Sequence, residues 1–252
     1  MKSSTVKTLA LVLICFLAAC ASDKSFKKAP PAVAASTNMQ LALEYLRLGK
    51  MTESRDTIER ALEQNPGSPD VQMTAGLIYE RLNDMPKADR AYATGYKLGK
   101  GDPNIQNTYA GYQCRTGKAI EGEKLFLQVA SSPLYRTPEV ALINAGVCSR
   151  SIGDVVDAER YFNKALAIHP NLPEALLQLG NIAFDRGDAD QAREIVKRYL
   201  AVNPPTAEVL WLGFRAERKL GDAVAAAGYA RRVQSEYPDS QQAQMMRSGV
   251  DR

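Results

Sequence analysis

Histidine is almost absent from this 252-residue chain: there is one, His169, directly before Pro170. A lone histidine there reads as a helix-terminal residue, not as a general base. With one histidine and four cysteines, no Cys/His set has the spacing of a metal site. No stretch alternates as a strand does, so no Gly-rich phosphate loop follows a strand. Acidic residues are scattered. These gaps argue against an enzyme and imply no catalytic residues, no metal, no cofactor and no small-molecule substrate. A basic body is missing too. The formal net charge is +4. Lys2 and Lys7 supply two of those charges, and Lys24, Lys27 and Lys28 against Asp23 supply the others, leaving residues 37–252 neutral. Nucleic acid is therefore not an expected partner.

What the chain does have begins at its N-terminus. Behind Lys2 and Lys7, Leu9 to Ala19 is an uninterrupted apolar run, too short to cross a bilayer as a helix and of signal-peptide length. It ends in Leu17-Ala18-Ala19-Cys20, which resembles the bacterial lipoprotein cleavage motif. That resemblance implies removal of residues 1–19 and acylation of Cys20, with an ordinary signal peptide as the alternative. Two or more acyl chains anchor firmly, each buried methylene adding about 0.8 kcal/mol. Ala21 and Ser22 follow, not an Asp. The sorting rule of Gram-negative lipoproteins then implies an outer-membrane anchor with the body facing the periplasm. Residues 20–36, rich in Ala, Ser, Lys and Pro, read as the lipidated Cys and a flexible tether.

The remainder is periodic. Gly49, Asn83, Gly117, Gly153, Gly187 and Gly221 are spaced by 34, 34, 36, 34 and 34 residues. A period of 34 is the signature of tetratricopeptide repeats, each a helix–turn–helix. The expected fold is all-α, a right-handed superhelical solenoid of about six repeats over residues 37–240. Repeat starts fall near Ala35, Pro69, Pro103, Glu139, Pro173 and Ala207, and residues 241–252 form a C-terminal cap or tail. Small residues recur at position 8 (Ala42, Gly76, Ala110, Gly146, Gly180) and position 20 (Ser54, Ala88, Gly122, Ala158, Ala192, Ala226). There they let helices A and B of one repeat approach to about 8–10 Å. Phe214 at position 8 of the last repeat is too large for such a crossing. The Gly or Asn at position 15 is expected to stop helix A in the left-handed conformation, and the Asp that follows four of them (Asp84, Asp154, Asp188, Asp222) to cap helix B.

Cys114 and Cys148 fall on successive A helices, which lie side by side. In the oxidising periplasm a disulfide between them is the leading reading; two buried thiols are the alternative. The segments Asn107-Thr108-Tyr109-Ala110, Cys114-Arg115-Thr116-Gly117, Ser132-Pro133-Leu134-Tyr135, Thr137-Pro138-Glu139 and Asn144-Ala145-Gly146-Val147-Cys148 resemble the type IV pilus biogenesis lipoprotein family (PilF/PilW). The two extra residues of the 36-residue step lie around Ser132 to Glu139, as in that family. The resemblance implies a pilotin, an outer-membrane lipoprotein for localisation or assembly of the secretin channel.

In repeats of this kind helix A positions 2, 5, 9, 12 and 13 line the concave face. In the first two repeats they include Met39, Leu43, Leu46, Met73 and Leu77, an apolar set suited to an amphipathic helix or hydrophobic peptide. The expected partner is a secretin subunit or another pilus-assembly protein. The last two repeats present a more polar set: Asn181, Phe184, Asp185, Trp211, Arg215, Arg218 and Lys219. Two other readings stay open, an adaptor for peptidoglycan enzymes or outer-membrane protein assembly, and a structural spacer.

Overall fold

The computed structural model describes residues 30–249. The signal segment, Cys20 and the first part of the tether lie outside them. Among the described residues there are thirteen helices and no strand, the all-α solenoid expected. Six helix pairs follow one another: α1 (Pro31–Arg47) with α2 (Met51–Gln64), α3 (Pro69–Arg81) with α4 (Met85–Leu98), and α5 (Pro103–Arg115) with α6 (Ala119–Ala130). Then come α7 (Pro138–Ser151) with α8 (Val155–Ile168), α9 (Pro173–Asp185) with α10 (Ala189–Val202), and α11 (Ala207–Leu220) with α12 (Ala223–Glu236). A short helix, α13 (Gln241–Ser248), closes the end, burying Ala243 and packing Met246 on the core. No described helix is long and apolar enough to cross a membrane.

Turn chemistry sets the pairing. Gly49, Asn83, Gly117, Gly153, Gly187 and Gly221 all have positive φ, from 59° at Asn83 to 99° at Gly187. Each reverses the chain between A and B helices at the position expected. Asp84, Asp154, Asp188 and Asp222 then accept the backbone N–H three residues on, capping α4, α8, α10 and α12. At Gly153 an added Cβ would meet no atom within 4 Å, so a substitution there tests backbone strain alone. Gly153→Ala is expected to cost about 1–2 kcal/mol, and Asn83→Gly to cost nothing, both read from urea unfolding curves.

Small residues act at the helix crossings. A Cβ on Gly76 would sit 2.7 Å from the Tyr92 ring, and one on Gly146 2.6 Å from the Phe162 ring. Ser54, fully buried, donates from its hydroxyl to the Ala42 carbonyl at 2.8 Å, joining position 20 to position 8.

Two expectations need correction. Residues 31–36 belong to α1, not to the tether. Pro31 occupies the first helical turn, where its fixed φ suits the helix and its missing N–H is not needed. The alanines after it are the strongest helix formers, and Ala35 is fully buried in the core. The last repeat also has its close crossing. It is made by Gly213, one residue before Phe214, whose Cβ would lie 2.8 Å from the Tyr229 ring. Gly213 lies eight residues before Gly221, whereas Gly146 lies seven before Gly153, so counting back seven from Gly221 stops one residue short.

Besides a small cluster of Ala183, Ala192 and Ala216, the core among the described residues falls into two large clusters. One runs from Ala35 to Tyr112 and includes Ile58, Ile78, Tyr92 and Ile105; the other runs from Ala110 to Ala243 and includes Phe126, Phe162, Leu176 and Leu210. Both draw on α5.

Candidate protein-binding groove

The A helices α1, α3, α5 and α7 line an open groove of about 730 Å³. Met39 and Leu43 from α1 and Met73 and Leu77 from α3 form its apolar wall. They lie there because positions 5 and 9 of an A helix fall on one face, a turn apart. Four of the five groove residues expected from the sequence are therefore brought together. Leu46 is not among the lining residues; it shares their face of α1 but is half-buried and packs on the N-terminal core.

The opposite wall was not anticipated. Asn104, Asn107, Gly111, Cys114 and Arg115 line it from α5. They occupy the same positions 2, 5, 9, 12 and 13, so extending the rule to the third repeat finds all five. From α7, Asn144, Val147, Cys148 and Ser151 join them. The Asn144 amide nitrogen donates to the Asn107 carbonyl oxygen at 3.3 Å. Such a pair keeps further amide donor and acceptor capacity, which fits the backbone of a bound segment. One wall thus supplies apolar contact and the other directional hydrogen bonds, the usual division in a recognition site.

A polar and aromatic seam joins the two walls. Arg115 donates to both carboxylate oxygens of Glu80 at 2.7 and 2.9 Å, and the Tyr92 hydroxyl donates to Oε2 of the same group at 2.9 Å. Burial pushes the Glu80 carboxyl up, but the Arg115 and Tyr92 hydrogen bonds outweigh it and hold the group below its usual range. The Tyr92 and Tyr112 rings stack at 4.1 Å, and those of Tyr96 and Tyr109 at 4.4 Å. Burial, with the Asp89 carboxylate that accepts its hydroxyl, drives the Tyr112 phenol pKa well upward.

Cys114 and Cys148 face each other between α5 and α7. Their Cα atoms are 5.6 Å apart with the sulfurs at bonding distance, inside the span that a disulfide requires. Gly122 leaves room for them: a Cβ there would lie 2.7 Å from the Cys114 sulfur.

Beyond α7 the face changes character. Arg150 crosses to α9, donating to Gln178 at 2.7 Å and Asp185 at 2.9 Å. Phe184 and Arg215 stack, and Trp211 lies 5.4 Å from Phe214. Asn181 sits half-buried on α9. His169 is exposed at the end of α8, with Nε2 3.8 Å from a Glu139 carboxylate oxygen.

The tetratricopeptide repeat family matches the chain twice, over residues 39–103 and 152–212. The type IV pilus assembly protein PilF of Pseudomonas aeruginosa is 23% identical over 202 residues, covering 80% of each chain. The crystal structure of PilW, a widely conserved type IV pilus biogenesis factor, aligns with a TM-score of 0.72 and 28% identity. It covers 84% of this chain and 97% of PilW. A structure of Pseudomonas aeruginosa PilF gives a TM-score of 0.67 at 22% identity over 87% of this chain and 99% of PilF. Six helix pairs with left-handed turns and small-residue crossings, together with these likenesses, show that the chain belongs to the tetratricopeptide-repeat proteins of type IV pilus biogenesis represented by PilW and PilF.

Proposed function

We propose that this protein is a pilotin. Acylated at Cys20, it sits on the periplasmic face of the outer membrane and binds a segment of the secretin subunit in the groove between α1 and α7. The observation that carries the reading is the groove itself, in which Met39, Leu43, Met73 and Leu77 oppose the Asn107–Asn144 amide pair. Apolar side chains of a partner pack against the first wall while its backbone meets the second. Methionines suit this role because their flexible thioethers adapt to an irregular ligand. The Cys20 motif supports the anchor. The spacing of Cys114 and Cys148 supports a disulfide that fixes α5 to α7 and so holds the amide wall.

The test is secretin capture by a double variant. Leu43→Glu with Leu77→Glu places two charges in the apolar wall, and each buried, unpaired charge opposes docking strongly. Capture in a pull-down is expected to fall by about tenfold or more, with the helical circular dichroism spectrum unchanged. A folded double variant that captures secretin normally removes the groove from the reading.

A further inference from the structure

The A-helix face past α7 carries a second surface with its own chemistry. The Arg215 guanidinium lies over the Phe184 ring, with Cζ 4.0 Å from the centroid, and the Lys219 ammonium is 5.3 Å from the same centroid. Arg218 lies over Phe214 at 5.4 Å. A shallow pocket of about 360 Å³ is lined by Phe184, Arg215, Arg218 and Lys219. Among the described residues no carboxylate lines it. The adjacent one, Asp185, is 3.9 Å from Arg215 and already accepts from Arg150 at 2.9 Å.

A helix dipole favours cations in the last turn, which accounts for Arg218 and Lys219 at the end of α11. It does not account for Arg215, a turn earlier. Phe184, on the neighbouring helix, lies against the Arg215 guanidinium and restricts where it can go. A guanidinium presents its N–H donors as a planar fork, the geometry that a carboxylate accepts. The aromatic surface lowers the entropy lost when the fork is filled.

We propose that this end of the face receives an acidic stretch of a protein segment, with one Asp or Glu taken by Arg215 and a neighbouring one by Lys219. That one segment fills both this surface and the apolar groove rests on the pilotin reading; the acidic site itself does not. From α3 to α11 there are four steps between A helices. At about 8–10 Å per step and about 3.3 Å per extended residue, an apolar anchor and an acidic stretch are separated by roughly ten residues.

The probe is fluorescein-labelled hexaglutamate, with hexaglutamine as control, followed by fluorescence anisotropy on the purified protein at low and high salt. Hexaglutamate is expected to bind and hexaglutamine not to bind. Affinity should fall about tenfold in Arg215→Gln with Lys219→Gln, and also as salt rises. Lys219→Gln alone, at an exposed position, serves if the double variant melts early. Equal binding of the two peptides, no hexaglutamate binding at low salt, or full binding by the variants would overturn the proposal. So would a result in which the variants lose only phosphatidylglycerol vesicles and keep hexaglutamate, since the surface would then be one for anionic lipid. The hexaglutamate result stands whether or not secretin capture depends on Leu43 and Leu77, so failure here and failure of the pilotin reading are separable.

Discussion

Replacing Phe162 with alanine is expected to lower stability by about 3–5 kcal/mol, the range for emptying a buried aromatic site. The ring is fully buried and sits against Gly146, where helices α7 and α8 cross. Its ring atoms lie 2.6–2.9 Å from where a Gly146 Cβ would be. The fit is thus made from both sides, by a large residue on α8 and no side chain on α7. Gly146→Ala should cost about 1–3 kcal/mol through overpacking. The pair should not be additive: with the ring gone, the new methyl enters the vacated space, and the double variant should recover about 1 kcal/mol of the sum. Urea unfolding followed by circular dichroism reads all three. Strict additivity would mean that the two residues do not share a contact. Because repeats contact mainly their neighbours, the transition should also broaden as the fourth repeat loosens from the third and fifth.

The second large effect concerns Cys114 and Cys148. A bond between them links positions 34 residues apart, and the loop-entropy model gives it about 3–4 kcal/mol. Cys114→Ala with Cys148→Ala should move the urea midpoint accordingly, and adding reductant should do the same to the unaltered protein and nothing to the variant. Thiol titration in denaturant, expected to find none at these two positions until reductant is added, tests the bond directly. Two titratable thiols there without reductant would end the idea. Since Cys114 also lines the groove, partner capture should weaken together with stability.

The turns were legible because each is dictated by one residue. A glycine where the backbone needs positive φ, followed by an Asp that caps the next helix, needs no tertiary context. The groove was half legible. Positions 5 and 9 placed Met39, Leu43, Met73 and Leu77 correctly, since one helix face is a matter of period. Leu46 failed because the period says which face a residue is on, not whether the neighbouring helix covers it. The amide wall on α5 followed from the same positions, but Asn107 and Asn144 are not apolar, so nothing in hydropathy marks them. Residues 31–36 depart from expectation for a related reason. An alanine-rich run near prolines looks like a linker by composition, and only the burial of Ala35 against the first repeat distinguishes it. At Phe214 a single added residue in α11 broke a count that had held for five repeats. The stacking of Arg215 on Phe184 joins residues 31 apart on different helices, a juxtaposition that no local pattern reports.

The two large hydrophobic clusters meet at α5, and the two sides of that helix are held in different ways. On the far side of α5, helices α6 and α7 share its aliphatic core and lie next to the Cys114–Cys148 pair. On the near side, the seam toward α3 and α4 is made largely of flat, stacked tyrosines and the Glu80–Arg115 fork. The seam crosses the groove between the apolar wall and the amide wall, so the spacing of the two walls is set by these rings and this ion pair. A change of angle at this junction would alter the width of the groove without entering either of the two large cores, which lie on opposite sides of it.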